Sequence, residues 1–351
     1  MKVQNFIALF ILALFINSSF SHDNNPVKII EKDYEVIIHL DSTDYEIYRE
    51  EDTRRVAVIE GISVGENYLL LWDVHTFYVY DINTYQFLAK IRPKYGVFAV
   101  GNADGKIYCA SGHDLIIYTS FEDSEVYEIN PAFSSLNEYK AFLNQGRVKI
   151  APRHRERIIR IIYQDNSIYF EFSGHFFLSL NDDFVFDQDD GGKKYIFPKK
   201  FFESKPGKSN IPYLLNEGNL LEAERWPNEV ESDYLFGIYN KNKSKVKEFK
   251  IKKPQKNNEK DIVLGLNYLF ENPENMFFYF LDSKNRQQSE GTIVCYSKKN
   301  NSSIQIDLPV KNCFKGVRRF YYNTHLDNCL YTIAVNQDLS IDVLKVDLAN
   351  E

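Results

Sequence analysis

Apolar residues in this chain come in short unbroken runs separated by polar turns, and hardly anywhere at helical spacing. The clearest unit is Asn67-Tyr68-Leu69-Leu70-Leu71-Trp72, then Asp73-Val74-His75-Thr76, then Phe77-Tyr78-Val79-Tyr80-Asp81. Residues 106–118 repeat that layout around Gly112-His113, and His113 lies 38 residues after His75. The flanking runs 87–91 and 125–129 keep the same step. A third copy, 167–178, turns at Gly174-His175. Copies without the histidine follow at 234–239 with 246–251, at 276–281 with 292–296, and at 329–335 with 341–346. Short apolar runs bounded by turn residues read as strands, and paired runs as hairpins.

Each hairpin follows a further β-like segment, such as 56–59 before the first and 97–100 before the second. A four-strand unit at intervals of roughly 40 to 70 residues is the layout of a propeller blade. The best helical candidate, 133–143, is short and sits between blades, which disfavours a βαβ fold. The expected fold is therefore all-β, a β-propeller of six blades, with seven as the alternative if 28–55 holds an irregular blade. Residues 34–40 read as a strand without a hairpin of its own, and the last copy ends at Leu348 without an outer strand. Pairing the two would close the ring and remove an exposed edge. The span 181–232 is richer in polar residues, Pro and Gly, and reads as a blade segment carrying a long loop insertion, in one domain covering 22–351.

Residues 67–129 resemble the YVTN and WD-repeat-like propeller superfamily, whose blades carry V-x-V-x-D-x-x-T. Here that is Tyr78-Val79-Tyr80-Asp81-Ile82-Asn83-Thr84, followed by Asn102-Ala103-Asp104-Gly105-Lys106-Ile107-Tyr108. Asp and Thr side chains bond nearby amides in such turns, and Asp104-Gly105 suits a positive-φ corner. Trp72-Asp73 lacks the upstream Gly-His of a true WD repeat. The resemblance implies a propeller and says little about activity, because this architecture hosts many functions.

Composition sharpens this picture. The 351 residues include 27 Phe and 24 Tyr but only 2 Met and 2 Trp, a bias that suits strands. The aromatics recur in the paired strands, where they can fill the wedges between blades. A 44% hydrophobic content excludes a disordered chain, and 4 Cys exclude a disulfide-dense scaffold. With 42 basic against 49 acidic residues, the chain is a poor match for nucleic acid. Lys2, the apolar run 6–16 and the small residues Ser19 and Ser21 form a secretory signal peptide over 1–21. That run is too short to span a bilayer, and no other long apolar stretch exists, so no stable membrane insertion is expected. The expected product is an exported monomer, secreted or periplasmic.

Export makes disulfides available to Cys295, Cys313 and Cys329, in a pairing the spacing leaves open. His75, His113 and His175 occupy the same hairpin position and, with Trp72, are the candidate contacts for a partner. The competing explanation for the histidines is conformational, since His is enriched at positive φ. Asp187, Asp189 and Asp190, ahead of Gly191-Gly192, are the candidate Ca²⁺ ligands, although the spacing departs from a calcium loop by one residue. The cluster Arg153, Arg155, Arg157 and Arg160, and the run 250–260, read as solvated basic loops. Asn242-Lys243-Ser244 and Asn300-Asn301-Ser302-Ser303 contain glycosylation sequons. No nucleophile motif is present. The chain reads as a scaffold for a protein or carbohydrate partner, with a propeller hydrolase, lactonase or lyase, Ca²⁺-dependent or not, as the alternative.

Overall fold

The repeated apolar runs form strands, and the polar residues between them form the turns. The computed structural model describes residues 28–348 apart from breaks, the longer ones at 51–54, 130–132, 145–156, 173–176, 200–212, 226–232, 253–261, 285–287 and 313–322. The chain starts with β1 (Lys28–Glu31), β2 (Glu35–Leu40) and the hairpin β3 (Tyr48–Glu50) and β4 (Arg55–Ala57). Blade 1 comprises β5 (Gly61–Val64), β6 (Tyr68–Trp72), β7 (Phe77–Asp81) and β8 (Phe87–Ile91). Blade 2 comprises β9 (Ala99–Ala103), β10 (Lys106–Ser111), β11 (Asp114–Tyr118) and β12 (Ser124–Ile129). Blade 3 has three strands, β13 (Ile158–Gln164), β14 (Ser167–Phe172) and β15 (Phe177–Ser179). A hairpin of β16 (Phe184–Gln188) and β17 (Lys194–Pro198) follows. Blade 4 comprises β18 (Tyr213–Leu214), β19 (Leu220–Arg225), β20 (Asp233–Tyr239) and β21 (Lys245–Lys252). Blade 5 comprises β22 (Ile262–Glu271), β23 (Asn275–Lys284), β24 (Gln288–Ser297) and β25 (Ser302–Asn312). Blade 6 supplies β26 (Asn323–Leu326), β27 (Cys329–Val335) and β28 (Ile341–Asp347). The protein is a six-bladed β-propeller.

The ring closes as the sequence led us to expect. Strand β2 pairs antiparallel with β28, from Glu35 opposite Lys345 to Leu40 opposite Ile341, and becomes the outer strand of blade 6. His39 lies across this seam with Nδ1 2.6 Å from Asp342 Oδ1. That hydrogen bond, with Asp41 adding to it, raises the His39 pKa. Its stabilisation is therefore complete below the ordinary histidine value and fades as pH rises through the raised one. Strand β1 adds in parallel to β25 on blade 5, so residues 28–57 give two edge strands and a hairpin rather than a seventh blade.

Three expectations need correction. The inner strand of blade 1 is Gly61–Val64, not 56–59, because residues 55–57 pair with β3 instead. Gly61 faces Trp72 across β5 and β6, and a Cβ there would stand 2.2 Å from the indole, so glycine is required where an apolar run was sought. The span 181–232 is more than one blade's segment with a loop. Its β16–β17 hairpin docks in parallel on β12, extending blade 2 to six strands, and its end supplies the inner strands of blade 4. The longest helix among the described residues covers Leu136–Asn144, three residues later than expected at its start.

Each blade buries apolar side chains on both faces, so successive residues of one strand enter different cores. In β6, Leu69 and Leu71 pack towards blade 6 while Leu70 and Trp72 pack towards blade 2. In β23, Met276 and Phe278 face blade 4 while Phe277 and Tyr279 face blade 6. This explains the unbroken apolar runs. The aromatic residues fill the wedges: Phe249 stacks on Tyr296 with centroids 4.5 Å apart between blades 4 and 5. Shared apolar clusters join blades 6 and 1, 1 and 2, 2 and 3, 4 and 5, and 5 and 6. Among the described residues no such cluster joins blades 3 and 4. There Arg160 and Glu171, cross-strand partners in blade 3, stand near Tyr213 of blade 4.

Candidate functional site

The inner strands β5, β9, β13, β18, β22 and β26 line the axis, and a cavity of about 90 Å³ lies between them. Its walls include Ser63, Trp72, Arg160, Gln164, Asn216, Glu271 and His325. The volume holds several waters or a ligand of a few heavy atoms. Drug-sized ligands occupy sites of roughly 300–1,000 Å³. Polar groups thus converge on the channel, but in a small space.

Where the inner strands end, side chains link the blades around the mouth. Tyr163 donates to Glu66 Oε1 at 2.6 Å, and Gln164 Nε2 donates to Asn216 Oδ1 at 2.9 Å. The Asn216 amide donates to Glu271 Oε1 at 2.9 Å, and Lys298 Nζ reaches Glu271 Oε2 at 2.6 Å. Lys298 also donates to the Asn272 carbonyl at 2.7 Å. The second charge pair lies deeper, with Arg160 Nε 2.8 Å from Glu171 Oε2 but not aligned for a hydrogen bond. Each carboxylate in the wall therefore has its own cation, and the lining is close to neutral.

His325 stacks on Phe270, with ring centroids 4.6 Å apart and planes 16° from parallel. Burial pushes its pKa down to about 4, and the Arg160 charge adds to the effect. The neutral imidazole is thus favoured by folding. Its stabilisation is present above the unfolded value near 6.5 and is lost as pH falls towards 4. The shift corresponds to roughly 3 kcal/mol. His325→Phe should lose less stability than the wild type between pH 7 and pH 4.5, measured as the urea midpoint. Parallel losses in the two proteins would refute this.

The opposite end of the ring carries the predicted histidines. His75 lies in the turn between β6 and β7, and His113 in the turn between β10 and β11. His175 lies outside the described residues. Neither described histidine has a positive φ, so the conformational explanation fails for both. Gly112 has the positive φ of its turn, at 64°. The other turn is made by Asp73, whose Oδ1 accepts from the amides of His75 and Thr76 at 2.8 and 2.7 Å. Its Oδ2 accepts from Tyr78 Oη at 2.8 Å, and the residue is 1% exposed. The loop between β8 and β9 passes between the two turns: the Val97 amide bonds the Val74 carbonyl, and Tyr95 lies against Gly112. Tyr95 is 57% exposed and has the Lys94 ammonium 4.9 Å from its ring centre. The structure thus brings His75, Tyr95 and His113 to one rim, while Trp72 is buried beneath and lines the channel.

Asp187, Asp189 and Asp190 fall at the end of β16 and in the turn to β17. Asp189 Oδ1 accepts from the amides of Gly191 and Lys193, and Oδ2 from Tyr195 Oη. These bonds, the Lys193 amide first, lower its pKa. The carboxylate is committed to the turn, and among the described residues no group of three or more metal-ligating side chains gathers. Cys295 is buried on β24 and Cys329 is a free thiol on β27. Cys313 lies outside the described residues. Asn242 and Asn300 both sit at exposed turns, between β20 and β21 and between β24 and β25. The turn chemistry expected of the repeat is present: Asp81 Oδ1 accepts from the Asn83 and Thr84 amides, and Asp104 and Gly105 have φ of 51° and 71°.

Sequence reasoning missed two residues. Arg160 is not part of a solvated basic loop; it stands in the channel wall beside Glu171. Tyr95 was passed over because it lies in a connection with no apolar pattern.

No family model matches the chain, and no curated protein sequence matches it. Solved structures similar to it include BamB from Moraxella catarrhalis, at 10% identity and TM-score 0.38 over 89% of this chain and 100% of that one. Another is the Pan2 WD40 domain of Neurospora crassa, at 9% identity and TM-score 0.38 over 84% of this chain and 76% of that one. A third is BBS1N in complex with ARL6DN, at 10% identity and TM-score 0.41 over 92% of this chain and 98% of that one. The propeller assignment rests on the six blades and the closing strand of this chain itself.

Proposed function

We propose that this chain is an exported propeller scaffold that holds a protein or carbohydrate partner on the rim formed by His75, Tyr95 and His113. The observation that carries this reading is the exposed Tyr95 ring between two histidine turns fixed by the blade framework. Exposed aromatic side chains on rigid supports are strong anchors for partners. The small channel volume supports the same reading, since it leaves a macromolecular partner to the rim. Export rests on the signal peptide in residues 1–21. The test is affinity capture from the exported fraction with the wild type and with Tyr95→Ser. A partner retained by the wild type and at least tenfold weaker with the variant is expected. Equal retention by both, or turnover of a small substrate with nothing retained, would overturn the proposal.

A further inference from the structure

Two turns at the mouth end of the ring carry a chemistry that neither the channel nor the rim uses. Asn242-Lys243-Ser244 lies in the turn from β20 to β21, and Asn300-Asn301-Ser302 in the turn from β24 to β25. Each turn joins the third strand of its blade to the fourth, so the two occupy the same position in neighbouring blades 4 and 5. Antiparallel strands alternate ends, which sets both turns beside those holding Asn216 and Asn272 and opposite His75 and His113. The Lys298 ammonium spans the short gap, donating to the Asn272 carbonyl at 2.7 Å. Asn242 and Asn300 are both exposed. In the first turn Asn240 Oδ1 accepts from the Asn242 and Ser244 amides at 3.0 Å each, and Lys243 takes the left-handed position with φ of 62°. In the second, Ser297 Oγ accepts from the Asn300 amide at 3.3 Å, and Asn301 takes the left-handed position with φ of 51°. Asn301 begins a sequon of its own, Asn301-Ser302-Ser303, but its Oδ1 accepts from Tyr296 Oη at 2.7 Å, which ties its side chain into the turn.

We infer that Asn242 and Asn300 are N-glycosylation sites, with an oligosaccharide carried on a polyprenyl diphosphate as the donor. Asn-x-Ser in an exported chain is the acceptor sequence, and its product must stand on an exposed turn because a glycan is bulky and strongly hydrated. In the transfer, the asparagine Nδ2 forms a bond to C1 of the first sugar. The bond from C1 to the diphosphate oxygen breaks, the lipid diphosphate leaves, and the amide gives one proton to the transferase's base. Nothing is oxidised or reduced. Asn300 is the acceptor in its turn and Asn301 is not, since the Asn301 amide is held against Tyr296. Two glycans on adjacent blades cover the mouth end and leave the rim of His75, Tyr95 and His113 as the open face. Glycosylation requires the export proposed above, but no particular partner at the rim.

Peptide mapping of the exported protein by mass spectrometry, with and without peptide-N-glycosidase, tests this. The glycosidase leaves an aspartate in place of each glycosylated asparagine, so conversion at Asn242 and Asn300, and none at Asn301, is expected. The intact chain should lose mass on the same treatment. Ser244→Ala and Asn300→Gln should each remove one glycan while the protein remains folded by circular dichroism. A chain that begins at His22 and carries no glycan would overturn the sites and leave export standing. A chain that still begins at Met1 and carries no glycan would overturn both. Conversion at Asn301 in place of Asn300 would overturn the assignment in blade 5.

Discussion

A chain that begins at Asp41 should not hold a closed, monomeric ring. The loss removes Ile38 and Leu40, at 7% and 8% exposure, from the core shared by blades 6 and 1. Truncating a buried Ile or Leu costs about 2–5 kcal/mol, and two of them approach the roughly 5–15 kcal/mol by which domains are stable. The same loss uncovers β28 along the register from Ile341 to Lys345, leaving an unpaired edge open to other chains. Light scattering with size exclusion should show oligomers or aggregate, and the thermal transition should fall sharply or vanish. Ile38→Asp in the intact chain should shift the transition in the same direction. A monomer that begins at Asp41 and melts like the full chain would show that β2 does not close the ring.

Asp73→Ala should be far more damaging than His75→Ala, although the two residues share a turn. Asp73 satisfies two amides and the Tyr78 hydroxyl from a position closed to water, and its loss takes that acceptor from all three donors. At about 1–3 kcal/mol for each buried unsatisfied group, part of it relieved by relaxation, the expected loss is roughly 3–5 kcal/mol. His75 lends the turn only its backbone, so its truncation should stay within about 1 kcal/mol. Denaturant midpoints decide the matter, and a larger loss for His75→Ala would contradict the role given to Asp73.

The contrast shows what was legible in the sequence. The hairpins were, because every blade is buried on both faces and its strands therefore read as unbroken apolar runs between turn residues. The closing strand was legible too, as 34–40 had no hairpin and the last copy had no outer strand. The repeated histidines marked the right turns but not the residue that builds the first one, two positions earlier. Arg160 could have been placed by counting outward from the Gln164–Ser167 turn, which sets it opposite Glu171. Its meeting with Trp72 and His325 could not, because those groups come from blades 3, 1 and 6 and converge only once the ring exists. Gly61–Val64 was obscured for a local reason: the Trp72 indole demands a glycine where a strand signal would need a side chain.

The clasp between β2 and β28 also dictates an order of events. His39 and Asp342 are 303 residues apart, so a strand made near the start must wait for the last. The hairpins of each blade can form from neighbouring residues, whereas this pairing must close a loop of nearly the whole chain. Closure should therefore be the final and slowest step of folding, and until then β2 and β28 are both unpaired edges. At high protein concentration each can find its complement on another molecule first, giving exchanged dimers whose blades are all native.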